Sequence, residues 1–128
     1  MDFTIYGKRI PLAYTIGAKK DLLSRFGDSN KLASALTCET DVELAENAAA
    51  MGSIMAKAEW KRQKAQAALL GTDVTAIPIE EADLFEMLDN ASVLELVKAI
   101  TGTVLAANKT TVEAVSESSK KEDAGLSK

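Results

Sequence analysis

The chain has 128 residues, 47% apolar but only 5% aromatic, with a formal charge of −4, one cysteine and no histidine. That length suits one domain with a small, aliphatic core, and the acidic balance disfavours nonspecific binding to nucleic acid or an anionic membrane. The absence of histidine excludes His-dependent triads, His metal sites and His-based pH switching, leaving only carboxylates, Lys, Tyr or Cys38 for any catalysis.

The first 27 residues predict a β-hairpin feeding into an amphipathic helix. Gly7-Lys8 can form a two-residue type II′ turn, with Gly7 at the position that needs positive φ. That turn sets Tyr6 opposite Arg9, Ile5 opposite Ile10 and Phe3 opposite Leu12, so the four apolar residues among these share one face. Pro11 cannot donate to a ladder and marks an edge strand. Thr15 is the expected N-cap of the first helix and Gly27 its stop. Ile16, Leu23 and Phe26 fall roughly on one side of that helix, with Leu22 adjoining.

Asp28-Ser29-Asn30 reads as a turn and possible cap before a short helix carrying Leu32, Ala35 and Leu36. Thr40 and Glu43 match the capping box that opens a long helix, which runs without proline to Leu70 and stops at Gly71. Acidic residues (Glu39, Asp41, Glu43, Glu46) gather near its start and basic ones (Lys57, Lys61, Arg62, Lys64) near its end, matching the helix macrodipole. After a loop over 71–78, Pro78 suits a first helical position, and a helix is expected through Leu84, Phe85 and Leu88 to about Asp89. Ser92 and Glu95 form a second capping box, opening a helix with Val93, Leu96, Val97, Ile100 and Val104 at helical spacing. The fold expected is mainly α: an N-terminal two-stranded antiparallel hairpin and about five helices, one of them long, over residues 1–108, then a disordered tail over 109–128, where Lys, acidic residues, Ser and Thr dominate.

No motif carries catalytic chemistry. Cys38 has no His partner and reads as a packing residue. Glu80, Glu81, Asp83, Glu86 and Asp89 lack calcium-loop spacing and read as the solvated start of a helix. Gly7 and Gly17 make no phosphate loop. No catalytic, cofactor or metal residues are therefore expected, and the chain is not read as an enzyme. A single cysteine fits a reducing cytoplasm; the start shows no signal peptide, and no run reaches about 18 apolar residues, so no membrane span is expected.

The signal that remains lies on helix surfaces. Leu44, Ala48, Met51, Met55 and Ala58 line one stripe of the long helix, with Ala45, Ala49, Gly52 and Ala56 beside it. Small side chains admit a second helix closely, and Met adapts to varied surfaces. Such a stripe serves intramolecular packing or a helical partner; Leu44, Ala48, Met51 and Met55 are the candidates for partner contact. Val97, Ile100 and Val104 are candidates for self-association or core.

The opening FTIYGKRIPLAYTIGAKKDLLSRFG resembles the tail assembly chaperones of long-tailed phages and prophages, through Ile5, Gly7, Lys8, Leu12, Tyr14 and Ile16. The resemblance covers about the first fifth of the chain. It implies a non-catalytic factor, in the cytoplasm of a bacterial host and absent from the mature virion, that binds and solubilises the tape measure protein and helps recruit tail tube subunits. It further implies a tendency to self-associate and a longer product made by programmed frameshifting. No nucleic acid or membrane partner is expected. The competing expectations are a virion structural protein, such as a minor tail or head–tail connector component, and a small helical adaptor for one cellular protein.

Overall fold

The computed structural model describes the backbone of residues 2–37 and 40–126, and the side chains of residues 2–37 and 40–108. Strands β1 (Asp2–Ile5) and β2 (Lys8–Pro11) lead into helices α1 (Ile16–Phe26), α2 (Ser29–Ala35), α3 (Asp41–Leu70), α4 (Glu81–Met87) and α5 (Asn90–Leu126). The fold is mainly helical with an N-terminal antiparallel hairpin, as expected. Cys38 and Glu39 lie outside the described residues, and residues 109–128, expected as a tail, lie outside those with described side chains.

The hairpin corrects the expected register. Phe3 pairs with Ile10, Thr4 with Arg9 and Ile5 with Lys8, so the turn residues are Tyr6 and Gly7. Both have positive φ, 52° and 72°, the pattern of a type I′ turn, whose twist matches the flanking strands. The slip between expected and observed pairing is two positions, and strand faces alternate with period two. Phe3, Ile5, Ile10 and Leu12 therefore still share the buried side. On the other side Asp2 and Arg9 form a diagonal ion pair.

Thr15 caps α1 as expected, its hydroxyl oxygen accepting from the Ala18 N–H at 3.0 Å. The buried residues of α1 are Ala18 and Leu22, whereas Leu23 and Phe26 are half-buried and Ile16 is 84% exposed, contrary to the expected apolar face. The reason is the close crossing of α1 over α3, which puts Ala18 against Ala58 and leaves the first helical residue beyond the contact. Gly27, at φ 108°, turns the chain into α2, where Asp28 accepts from the Lys31 N–H at 2.9 Å.

The central helix α3 has the predicted bounds, closed by Gly71 in the left-handed region, its N–H donating to the Ala67 carbonyl at 2.8 Å. Its start differs in detail: the Thr40 hydroxyl bonds the Glu43 carboxylate at 3.4 Å and makes no side-chain cap to the backbone. Every residue from Ala48 to Ser53 is buried, and so are Met55, Ala56, Ala58 and Glu59. On one side stand α4 and α5, so close at Gly52 that a Cβ there would sit 3.0 Å from Leu84 Cδ2 and 3.1 Å from Leu96 Cδ1. On the other side stand α1 and the hairpin, whose exit is tied to α3 by the Ala13 N–H donating to the Met55 carbonyl at 3.1 Å.

Two helix starts move relative to expectation. Pro78 is not the first residue of α4, which begins at Glu81 after the N-cap Glu80. The preceding segment is held instead by α3, since the Ser53 hydroxyl donates to the Ile79 carbonyl at 2.7 Å. Helix α5 starts at Asn90, ahead of the expected Ser92 cap. Asp89 is the capping residue: its carboxylate accepts from the Ser92 N–H, and the Ser92 hydroxyl oxygen accepts from the Asp89 N–H, both at 2.8 Å. The Ser92 N–H and, after it, the Ser92 hydroxyl donate to the Asp89 carboxylate and hold it below its ordinary pKa. The stretch Asn90–Asn108 has the length and mean hydropathy, 1.2, of a membrane span; in this fold Leu96, Ala99 and Ile100 join the core with the hairpin and α3.

Two substitutions test this packing by urea unfolding. Gly52→Val forces a branched side chain between Leu84 and Leu96 and lowers stability by about 2 kcal/mol. Tyr6→Asn relieves a bulky residue of its positive φ and raises stability by about 1 kcal/mol.

Candidate functional site

The expected partner-binding stripe is core. Ala48, Met51 and Met55 are at most 2% exposed and Leu44 is half-buried, so in this fold they serve the interior. The small-residue pattern was real, but the helices it admits closely are α1, α4 and α5 of the same chain. Of the three α5 candidates, Ile100 is core, while Val97 and Val104 are half-buried and face an open groove.

That groove is the principal candidate site. It has a volume of about 510 Å³ and lies between α2 and α5, over the α1 and α3 residues beneath. Leu22, Met51 and Ile100 form its fully buried floor. Leu32 and Leu36 make the α2 wall, Val97 and Val104 the α5 wall, and Tyr14 also lines the groove. Ser29, Thr37, Thr101 and Asn108 supply the polar positions, and Leu105 stands 61% exposed at the edge. None of the described lining residues carries a charge. An apolar trough between two helices, its described lining uncharged, suits the apolar stripe of a third helix, which it desolvates without stranding a buried charge.

The groove arises from local geometry. The Gly27–Asp28 turn folds the short α2 back beside α1, and the Asn47 amide donates to the Ala35 carbonyl at 3.0 Å, fixing the end of α2 to α3. Among the described residues helix α2 packs on α1 and α3 and makes no contact with α5, and the gap is the trough. Tyr14, Leu32 and Leu36 could be placed on elements from sequence, but no local signal brings them to Val97 and Val104.

Glu80 and Glu81, weighed in the sequence as a solvated helix start, tie elements together. Glu80 pairs with Lys57 at 2.8 Å and Glu81 with Arg25 at 3.1 Å, joining the α4 start to α3 and α1. Glu59, buried at 6% exposure, accepts from Arg62 at 2.8 Å and from the Gln63 amide at 3.0 Å. Gln63 Oε1 in turn accepts from the N–H groups of Thr75 and Ala76 at 2.8 and 2.9 Å, latching the loop after α3. Lys64 lies 4.3 Å from the centre of the Trp60 ring. Among the described residues no three or more His, Cys, Asp or Glu side chains gather as a metal site.

Because Leu105 stands at the groove's edge, Leu105→Asp changes unfolding free energy by less than about 0.5 kcal/mol, as denaturant titration will show. No protein-family model, curated protein or solved structure matches this chain, so the groove is interpreted from its own chemistry.

Proposed function

We propose that this chain is a non-catalytic tail assembly chaperone of a long-tailed phage or prophage, which shields the apolar stripe of the tape measure protein and helps bring tail tube subunits to it. The observation that carries this reading is the uncharged apolar groove between α2 and α5. A helical client exposes apolar stripes until a tube closes over it, and a trough walled by Leu32, Leu36, Val97 and Val104 matches such a stripe. Weak contacts repeated along a long client gain strength through effective concentration. The resemblance carried by Ile5, Gly7, Lys8, Leu12, Tyr14 and Ile16 supports the same reading. On this proposal the chain acts in the host cytoplasm, needs no cofactor and leaves before the particle is complete.

Co-expression with a long helical protein encoded beside it tests the proposal. The client stays soluble with the native chain and precipitates with a variant carrying Val104→Asp and Leu105→Asp, while that variant keeps its helical circular dichroism. A client equally soluble with either chain, or with none, overturns the reading. Recovery of the chain in purified particles turns it toward a virion structural component.

A further inference from the structure

Helix α5 outreaches the groove that it walls. Asn108 is the last residue of α5 to line the groove, and the helix continues to Leu126, about 27 Å further. The first stretch of this extension, KTTVEAVSESS over 109–119, has Thr, Val or Ser at seven of its eleven positions, all weaker helix formers than Ala or Leu. A helix of that composition draws its stability from a packed face. Sequence spacing says which face. Leu94, Val97, Thr101, Val104 and Asn108 alternate at intervals of three and four, and the last four line the groove. The same alternation runs on through Thr111 and Val115, with Val112 adjoining. That is the seam of a helix pair, and it lies away from the face by which Leu96, Ala99 and Ile100 enter the core.

We infer that the groove is filled by the α5 extension of a second copy of this chain, the two copies exchanging arms about a two-fold axis at Asn108. The α5 helices run antiparallel, so the axis sets Val115 opposite Thr101 and Thr111 and Val112 opposite Val104, once in each direction. Length and charge both fit. The stretch 108–119 spans about 16 Å, the same as the groove's α5 wall from Val97 to Asn108. Glu113 and Glu117 fall off the seam by helical spacing, and the run Lys120, Lys121, Glu122, Asp123 begins just past the position opposite Val97, where the groove ends. An uncharged stripe thus meets an uncharged trough over their shared length. The two Asn108 amides meet at the axis, where each can donate to and accept from the other, a device that fixes register. A parallel pairing sets the two α2-walled stretches at one level, whereas the antiparallel one brings an extension to each groove. On the chaperone reading the arm and the client compete for this groove, but the inference rests on the groove and the seam and not on the client.

Sedimentation equilibrium of the full chain tests it. The native chain sediments at twice its chain mass, and the variant carrying Val112→Asp and Val115→Asp dimerises on the order of a hundredfold more weakly. Both substitutions lie outside the core, and near-native urea unfolding of the body verifies that the variant is folded. Orientation is read by disulfide formation in a Cys38→Ser background: Thr101→Cys and Val115→Cys chains give a linked dimer when mixed and oxidised, and neither does so alone. Three results overturn the inference: a native chain that is monomeric at about 100 μM, a dimer indifferent to Val112→Asp with Val115→Asp, or cross-linking of each cysteine chain with itself in place of the mixture. The co-expression assay keeps the two readings apart. A native dimer that leaves the client insoluble upholds this inference and fails the chaperone proposal, and a monomeric native chain that keeps the client soluble does the reverse.

Discussion

Continuous burial of the middle of α3 is the constraint on which the remaining architecture depends. From Ala48 to Ser53 no residue faces solvent, so this stretch has no polar side to offer. Alanine, glycine, serine and a single methionine there let neighbouring helices approach on opposite sides without displacing one another. Methionine fills what the small residues leave, and Met51 and Met55 are fully enclosed. Each large aliphatic closed off around them, such as Leu84, Leu96 or Ile100, contributes about 1.5–3 kcal/mol of apolar burial. The helix whose stripe the pattern left open between core and partner surface is the axis about which this chain folds.

A central helix also has to hold the irregular segments around it, and α3 does so with its few polar side chains. Asn47 takes the end of α2, Ser53 the segment before α4, and Gln63 the loop that follows α3. Each supplies a partner to a backbone group at a helix end or in a loop, where an orphan would be costly if buried. The short α2 is thereby fixed against α1 and α3 but held off α5. The groove is what remains between elements placed by other contacts, and its apolar lining follows from exposing the edges of a core.

Much of this architecture was legible locally. Thr15, Gly27 and Gly71 mark helix ends through backbone chemistry that needs no tertiary partner, and the hairpin faces survived a wrong turn because a slip of two positions preserves parity. The misplacements have tertiary causes. Ile16 has the right spacing for a buried face but lies past the Ala18–Ala58 crossing. Pro78 satisfies the rule for a first helical residue, yet Ser53 binds the carbonyl of Ile79 and the helix waits until Glu81. Ser92 was recognised as part of a reciprocal cap, but as the wrong member, because Asp89 precedes it at the same spacing. For the site the limit is sharper: spacing identifies an apolar stripe without saying whether the chain covers it itself. Ala48, Met51 and Met55 were covered; Val97 and Val104 were left half open.

The bond from the Ala13 N–H to the Met55 carbonyl joins the end of the hairpin segment to the centre of α3, between residues 42 positions apart in sequence. Two strands of four residues have little independent stability, so the hairpin acquires its shape only when the helix is there to receive it. Solvent exchange at the Ala13 amide then requires the hairpin to separate from α3, which makes that one proton a reporter of the union between the two parts of the fold.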